Sequence, residues 1–277
     1  MSYELTESHP LDSYLDRTET LFCPGCGNGV ILNAIARAIH ELYDSTEKLV
    51  AVSGIGCAGW IPSPHLKLDR IHTTHGRAIA FATGIKLANP KLKVMVISGD
   101  GDIAGIGGNH LIHAARRNME LSVFMVNNYG YAMTGGQHGP TTPHEAKTVT
   151  TPYGNIEVPF DSSALVAAAG ASYVARWTVA HVRQLNRAVR NVLQYGEKGF
   201  AFLEIVSSCP TRFGKRIFHK SALEMLIGFR ETSINIKKLE DLEPEDHAGK
   251  IVVGEFVTEE KPGYVAQLYD IIERARK

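Results

Sequence analysis

Short apolar runs alternate with segments of helical periodicity along most of this chain, and that alternation constrains the fold more than any other feature. Lys48 to Ser53 (KLVAVS), Lys93 to Ser98 (KVMVIS), Leu121 to Val126 (LSVFMV) and Phe200 to Val206 (FAFLEIV) each read as a short strand. Their near-continuous apolar character is that of strands buried on both faces, as in parallel sheets. Between them, Asn28 to Leu42, Arg77 to Leu87, Gly108 to Arg117 and Val179 to Tyr195 read as helices, the second stopped by Asn89-Pro90. The alternation predicts an α/β fold built on a doubly wound parallel sheet.

Ligands of such sheets bind beyond the carboxyl ends of the strands. Ser53-Gly54-Ile55-Gly56-Cys57, Gly99-Asp100-Gly101-Asp102 and Asn127-Asn128 all sit at strand ends, so three motifs point at one rim. From Tyr129 to Phe160 the chain has no periodicity and holds four prolines and six threonines. A stretch this long is usually functional, and it leaves directly from Asn127-Asn128, so we read it as an active-site loop. From Ser221 to Thr258 the pattern is weak, and a helix from Pro262 to Arg276 follows. These features divide the chain into a ligand-binding domain, residues 1–220, and a C-terminal extension, residues 221–277. The extension is expected to be an extended segment that wraps a partner or the domain surface.

With 29 Lys+Arg against 29 Asp+Glu, the chain has no global attraction for nucleic acid or an anionic membrane. The basic stretch from Lys215-Arg216 to His219-Lys220 reads as a solvated turn. No apolar run approaches the about 18 residues of a membrane span, and Met1 to Asp16 is polar and acidic, unlike a secretion signal. A cytoplasmic location is expected, where cysteines serve as ligands or catalysts more often than as disulfides.

A diphosphate needs a divalent cation across its oxygens and backbone N–H groups unobstructed by side chains. Gly99-Asp100-Gly101 offers a carboxylate between two glycines at the end of a buried strand. Gly105, Gly107 and Gly108 keep the start of the next helix open. One strand later, 28 positions on, Asn128 adds an amide oxygen and Gly130 a backbone carbonyl. With phosphate oxygens and water these groups complete an octahedron for Mg²⁺. No Gly-x-Gly-x-x-Gly follows the first strand, which disfavours a dinucleotide site.

The four cysteines are Cys23, Cys26, Cys57 and Cys209. Free buried thiols, a thioredoxin-like Cys23-Pro24-Gly25-Cys26, a Cys₄ zinc site and an iron–sulfur cluster are all compatible with the spacing. Position favours the cluster: Cys57 lies beside the diphosphate rim, where an electron acceptor is useful and an inert zinc is not.

Taken in order, Cys23-Pro24-Gly25-Cys26-Gly27, Gly54-Ile55-Gly56-Cys57, His72-Thr73-Thr74-His75-Gly76-Arg77, Gly99-Asp100-Gly101-Asp102, Asn128 through Gln137 and Ser208-Cys209-Pro210-Thr211 resemble the β subunit of the 2-oxoacid:ferredoxin oxidoreductases, over about residues 20 to 215. The resemblance implies a thiamine-diphosphate-binding fold, here its diphosphate-binding module. It implies that Cys23, Cys26, Cys57 and Cys209 bind one 4Fe–4S cluster and that Asp100, Asn128 and the Gly130 carbonyl bind Mg²⁺. It places the cofactor against Gly54, Ile55, Gly56, His75, Gly76, Gly99, Asp100, Gly101, Asp102, Asn128, Gly130, Tyr131, Ala132, Met133 and Thr134, with His75 as catalytic residue. Asp102 has a second reading, holding the Gly-rich turn or capping the following helix, and Trp60 either shields the cluster or belongs to the core.

The implied activity is coenzyme-A-dependent oxidative decarboxylation of a 2-oxoacid to acyl-CoA and CO₂, with electrons leaving through the cluster to ferredoxin or a ferredoxin-like subunit. The Tyr131–Gln137 loop followed by Pro140-Thr141-Thr142-Pro143 resembles the 2-oxoglutarate members first and the branched-chain, 2-oxoisovalerate-type members second. A non-redox thiamine-dependent decarboxylase with structural zinc is the remaining alternative. Only the diphosphate half of a cofactor site is patterned, so a partner α subunit is expected to supply the pyrimidine-side Glu and part of the substrate pocket.

Overall fold

In the computed structural model the described residues are 9–16, 19–241, 243 and 249–277; the acidic start of the chain, residues 1–8, lies outside them. Among the described residues eight strands form one sheet: β1 Leu49–Ser53, β2 Asp69–His72, β3 Lys93–Gly99, β4 Leu121–Asn127, β5 Tyr173–Thr178, β6 Phe200–Val206, β7 Ser233–Asn235 and β8 Ile251–Thr258. Their order is β2-β1-β3-β4-β6-β5-β8-β7. The first six run parallel to one another, β8 runs antiparallel to β5, and β7 is parallel to β8.

Among the described residues seven α-helices cover the sheet: α1 Asn28–Leu42, α2 Ala78–Ala88, α3 Gly108–Arg116, α4 Ser162–Ala169, α5 Val182–Gly196, α6 Ala222–Thr232 and α7 Tyr264–Ala275. Successive strand side chains alternate between faces. Leu49 and Ala51 pack with Ile31, Ile35 and Ile39 of α1 and Leu185, Val189 and Val192 of α5. Val50 and Val52 pack on the other face with α2, α3, α4 and Val265 of α7. In α5 the buried positions Leu185, Ala188, Val189, Val192 and Leu193 form one stripe, which is why an otherwise polar helix docks there. Each large side chain so buried contributes about 1.5–3 kcal/mol.

The extension differs from the expected extended tail. Ser221 opens α6 with a capping box to Glu224, and β8 pairs directly with β5. The sheet therefore continues past residue 220, and Met225, Phe229, Val253 and Val265 of the extension are buried in its two cores. Polar β2 has an exposed burial pattern, as an edge strand requires. Strand order reverses between β1 and β3, and the ends of β1, β3 and β4 meet at this switch point. Two π-helical turns leave that rim, Gly101–Ile106 after β3 and Pro210–Phe218 after β6, a geometry common at functional sites.

Candidate active site at the carboxyl rim

Asp100 follows β3 and is 1% exposed. Burial pushes its carboxyl up to about 7, while hydrogen bonds from the Thr141 hydroxyl and the Gly101 N–H pull the other way. Across the same cavity, of about 70 Å³, the Asn128 Oδ1 is buried with no hydrogen-bond partner among the described residues. An orphaned buried acceptor costs about 1–3 kcal/mol. A hard cation between Asp100 and Asn128 removes both penalties, so these residues fit a divalent ion. The Gly130 carbonyl accepts the Ala132 N–H at 3.0 Å and keeps a second lone pair. Tyr129 at φ 75° and Gly130 at φ 148° make the turn that presents it.

Every expected cofactor contact except Gly54 and Gly76 lines this cavity, joined by Cys57 and Ala58. Gly54 and Gly76 lie against Asp102. A Cβ at Gly54 would overlap the Asp102 carboxylate, and the Gly76 N–H donates to Asp102 Oδ1 at 2.6 Å. Ile55 N–H donates to the same oxygen at 3.2 Å, and His75 Nδ1 lies 2.6 Å from it. Asp102 thus ties the loops after β1 and β2 to β3, in line with its second reading as the residue that holds the turn. Donating from Nδ1 leaves His75 with Nε2 as an acceptor on the cavity wall. His72 bonds Ser53 Oγ at 2.8 Å and is outside the cavity lining.

Gly101 has a steric reason. A Cβ there would overlap the Tyr131 ring, whose hydroxyl donates to the Gly101 carbonyl at 3.3 Å. Gly101→Ala is expected to push Tyr131 and its loop outward and weaken thiamine diphosphate binding by about 10- to 100-fold, a cost of about 1.4–2.7 kcal/mol. Cofactor titration by intrinsic fluorescence measures this, and unchanged affinity would show that the close approach is dispensable.

All four cysteines line a second cavity, of about 290 Å³, together with Phe22, Trp60 and Arg212. Cys57, Asn128, Ala132 and Met133 line both cavities and so form the wall between them. The Cys26 N–H donates to the Cys23 carbonyl at 2.9 Å, closing a turn through Gly25 at φ 78°. The Gly27 N–H to Ser208 O and Ser208 Oγ to Gly25 O bonds, both 3.0 Å, bind that turn to the Cys209 loop. Asn28 Nδ2 donates to the Cys57 carbonyl at 3.2 Å.

Burial pushes Cys26 up to about 12 and raises Cys57 and Cys209, with repulsion from other cysteines in the set adding to each. N–H groups of Phe213 and Arg212, in the π-helical turn, offset this at Cys209. Among the described residues no three His, Cys, Asp or Glu close around a single ion. Zinc would draw four sulfurs to within about 4 Å of one another. An iron–sulfur cluster would hold four thiolates farther apart, one on each iron, and the four cysteines are a suitable donor set for either group.

Three contributors had weak or no signal in the sequence. Arg212 and Asn28 line the cysteine cavity. His65 is fully buried, bonds the Trp60 carbonyl at 2.6 Å, accepts the Leu21 N–H at 3.4 Å and stacks on Phe22. It secures the segment that leads into Cys23. Trp60 lines the cavity and is 40% exposed, a shielding position and not a core one. A larger cavity of about 610 Å³ lies at the opposite ends of the strands, but its Lys93–Glu197 and Lys198–Glu260 pairs, each 2.7 Å, leave little free charge for chemistry.

The thiamine pyrophosphate enzyme C-terminal TPP-binding domain matches residues 54–205. The chain is 49% identical to the 2-oxoglutarate synthase subunit KorB of Methanocaldococcus jannaschii over 97% of this chain and 99% of that one. It is 44% identical to the 2-oxoacid:ferredoxin oxidoreductase subunit beta of Saccharolobus solfataricus over 69% of this chain and 62% of that one. The chain belongs to the β subunits of the 2-oxoacid:ferredoxin oxidoreductases. A solved 2-oxoglutarate:ferredoxin oxidoreductase from Magnetococcus marinus, with 2-oxoglutarate, coenzyme A and succinyl-CoA bound, superposes on this β subunit with a TM-score of 0.84 at 32% identity, covering 99% of this chain and 93% of that one. The β subunit carries a thiamine-diphosphate-binding domain, and none of its described helices is long and apolar enough to cross a membrane.

Proposed function

We propose that this β subunit catalyses coenzyme-A-dependent oxidative decarboxylation of 2-oxoglutarate to succinyl-CoA and CO₂, delivering the two electrons singly through a 4Fe–4S cluster to ferredoxin. The observation that carries the reading is the shared wall: Cys57 and Asn128 face both the diphosphate cavity and the cysteine cavity. Asp100, Asn128 Oδ1 and the Gly130 carbonyl hold Mg²⁺, and Cys23, Cys26, Cys57 and Cys209 hold the cluster. When bound, thiamine diphosphate supplies the nucleophilic carbon and the electron sink for decarboxylation. His75, fixed by Asp102, presents Nε2 to accept and return a proton at the cavity wall. Ile55, Ala132 and Met133 give that wall apolar surface that excludes water. 2-Oxoglutarate stands first because the KorB relatives and the Magnetococcus enzyme bear its name.

An α subunit supplies the pyrimidine-side Glu and part of the substrate pocket. Supporting this, the loop tied to Asp100 through Thr141 exposes Tyr153, Ile156 and Val158 at 98%, 89% and 86%, an apolar stretch suited to a partner. The extension, residues 221–277, offers a further contact surface. The complex is expected to work in the cytoplasm.

Anaerobic copurification with the α subunit, followed by a 2-oxoacid panel read as coenzyme-A-dependent dye reduction, tests the reading. Highest kcat/KM is expected for 2-oxoglutarate, with iron and acid-labile sulfide both present. A preference for 2-oxoisovalerate would move the subunit to the branched-chain class. Zinc without sulfide would make it a non-redox decarboxylase.

A further inference from the structure

Glu204 sits near the carboxyl end of β6, 2% exposed, between Asn127 on β4 and Arg176 on β5. Its Oε2 accepts from Arg176 Nε and from Ser163 Oγ, each at 2.8 Å. Arg176 in turn bonds Asp161 and the Val252 carbonyl, so its charge is fully committed. The other carboxylate oxygen, Oε1, accepts from Asn127 Nδ2 at 2.8 Å.

That last bond decides which way the Asn127 amide points. A carboxylate only accepts, so the amide nitrogen must face Glu204 and the oxygen must face away. The oxygen accepts the Tyr129 N–H at 3.2 Å, a side-chain turn that bridges Asn128. Tyr129 is held at φ 75°, a conformation that a non-glycine residue keeps only where its surroundings enforce it. Thr142 Oγ1 secures the far side by donating to the Tyr129 carbonyl at 2.5 Å. The residues bracketed by these bonds are Asn128 and Gly130.

We infer that Glu204 is a positioning residue for the divalent cation: through Asn127 it sets the turn that aims the Asn128 amide oxygen and the Gly130 carbonyl at the ion. The inference rests on the reading that Asp100, Asn128 and Gly130 hold Mg²⁺. Glu204 touches neither ion nor cofactor, and the charge of Arg176 on its other oxygen keeps it in the sheet.

Replacing Glu204 itself leaves Arg176 without its deepest partner and risks the fold, so the test uses Asn127→Ala with Ser163→Ala as control. Both variants remove one neutral donor from the same buried carboxylate, but only the first breaks the link to the turn. Mg²⁺ binding in saturating thiamine diphosphate is followed by calorimetry on the purified complex, alongside thermal stability. Asn127→Ala is expected to raise the Mg²⁺ dissociation constant about 10- to 100-fold, as loss of an outer-shell partner does. Ser163→Ala is expected to lose similar thermal stability and to bind within about twofold of the wild type. Equal Mg²⁺ binding by Asn127→Ala and wild type, or an equal loss in both variants, overturns the positioning role. Absence of any Mg²⁺-dependent binding by the wild-type complex overturns the metal reading beneath it, which is a separate result.

Discussion

Asp100→Asn is expected to abolish Mg²⁺-dependent thiamine diphosphate binding while leaving the metal-free fold at least as stable as the wild type at pH 8. The two halves of this result have one cause. Burial raises the Asp100 carboxyl from an ordinary 3.8 to about 7, so the metal-free folded chain holds this proton more tightly than the unfolded chain does. For an acid whose folded value is raised, the stability contribution is present below about pH 4 and is lost as pH climbs toward 7. Asparagine cannot ionise and escapes that loss, so the variant's stability advantage grows between pH 4 and 7 and then levels off. What it loses is the charged oxygen opposite Asn128, and the Mg²⁺ dissociation constant should rise by more than the about 100-fold that outer-shell losses reach.

The same proton predicts the pH dependence of the wild type. Mg²⁺ must displace it below pH 7, so apparent affinity should fall about tenfold per unit there and be flat above about 8. Calorimetry at pH 6 and 8, in buffers of different ionisation enthalpy, reads the released proton directly. Pronounced Mg²⁺ binding by Asp100→Asn, or a flat profile in the wild type, would remove Asp100 from the metal site.

Cys209→Ser carries the second large effect. Cys209 is the most buried of the four cysteines, and backbone N–H groups of Arg212 and Phe213 already point at its sulfur. Serine keeps the volume and gives those donors an acceptor, so the fold should survive. A hydroxyl is a poor substitute for a thiolate at iron. Iron and sulfide should fall from roughly four each per chain to well under one, with loss of the visible charge-transfer absorption. Ferredoxin reduction should drop to background. Substrate-dependent CO₂ release without coenzyme A should persist, because Asp100, Asn128 and His75 are untouched. Retention of a full complement of iron and sulfide in Cys209→Ser would show that the buried thiol is no ligand.

Much of the frame was legible because it is local. The periodicity of Asn28–Leu42 marks α1 at its observed limits, and the apolar runs mark β1, β3, β4 and β6 to within a residue or so at each end. Other elements hid for identifiable reasons. β5 contains Arg176, a charge that argues against a buried strand until Glu204 and Asp161, brought from distant positions, pair with it. β2 is polar because it is an edge. α6 was readable from its Ser221–Glu224 capping box, and its weak apolar pattern concealed it. β8 depends on an antiparallel partner that no local pattern reveals. Within the site, the contacts that Gly54 and Gly76 make with neighbouring loops could not be read from the sequence. Gly54 is crowded by the Asp102 carboxylate and Gly76 by Ile106, while the Gly76 N–H bonds Asp102, and these are contacts between loops from different strands.

Residue order alone settled which segments become strands and which chemical groups end up at their carboxyl ends, since strand period, turn chemistry and ligand type are properties of short stretches of chain. Only the folded sheet decided adjacency: that Cys57 and Cys209, 152 positions apart, line one cavity, that Asn128 and Cys57 form a common wall, and that a carboxylate on β6 orients an amide on β4. Those relations follow from strand order and register, which are set by burial and pairing summed over the whole molecule, and no window of sequence contains them.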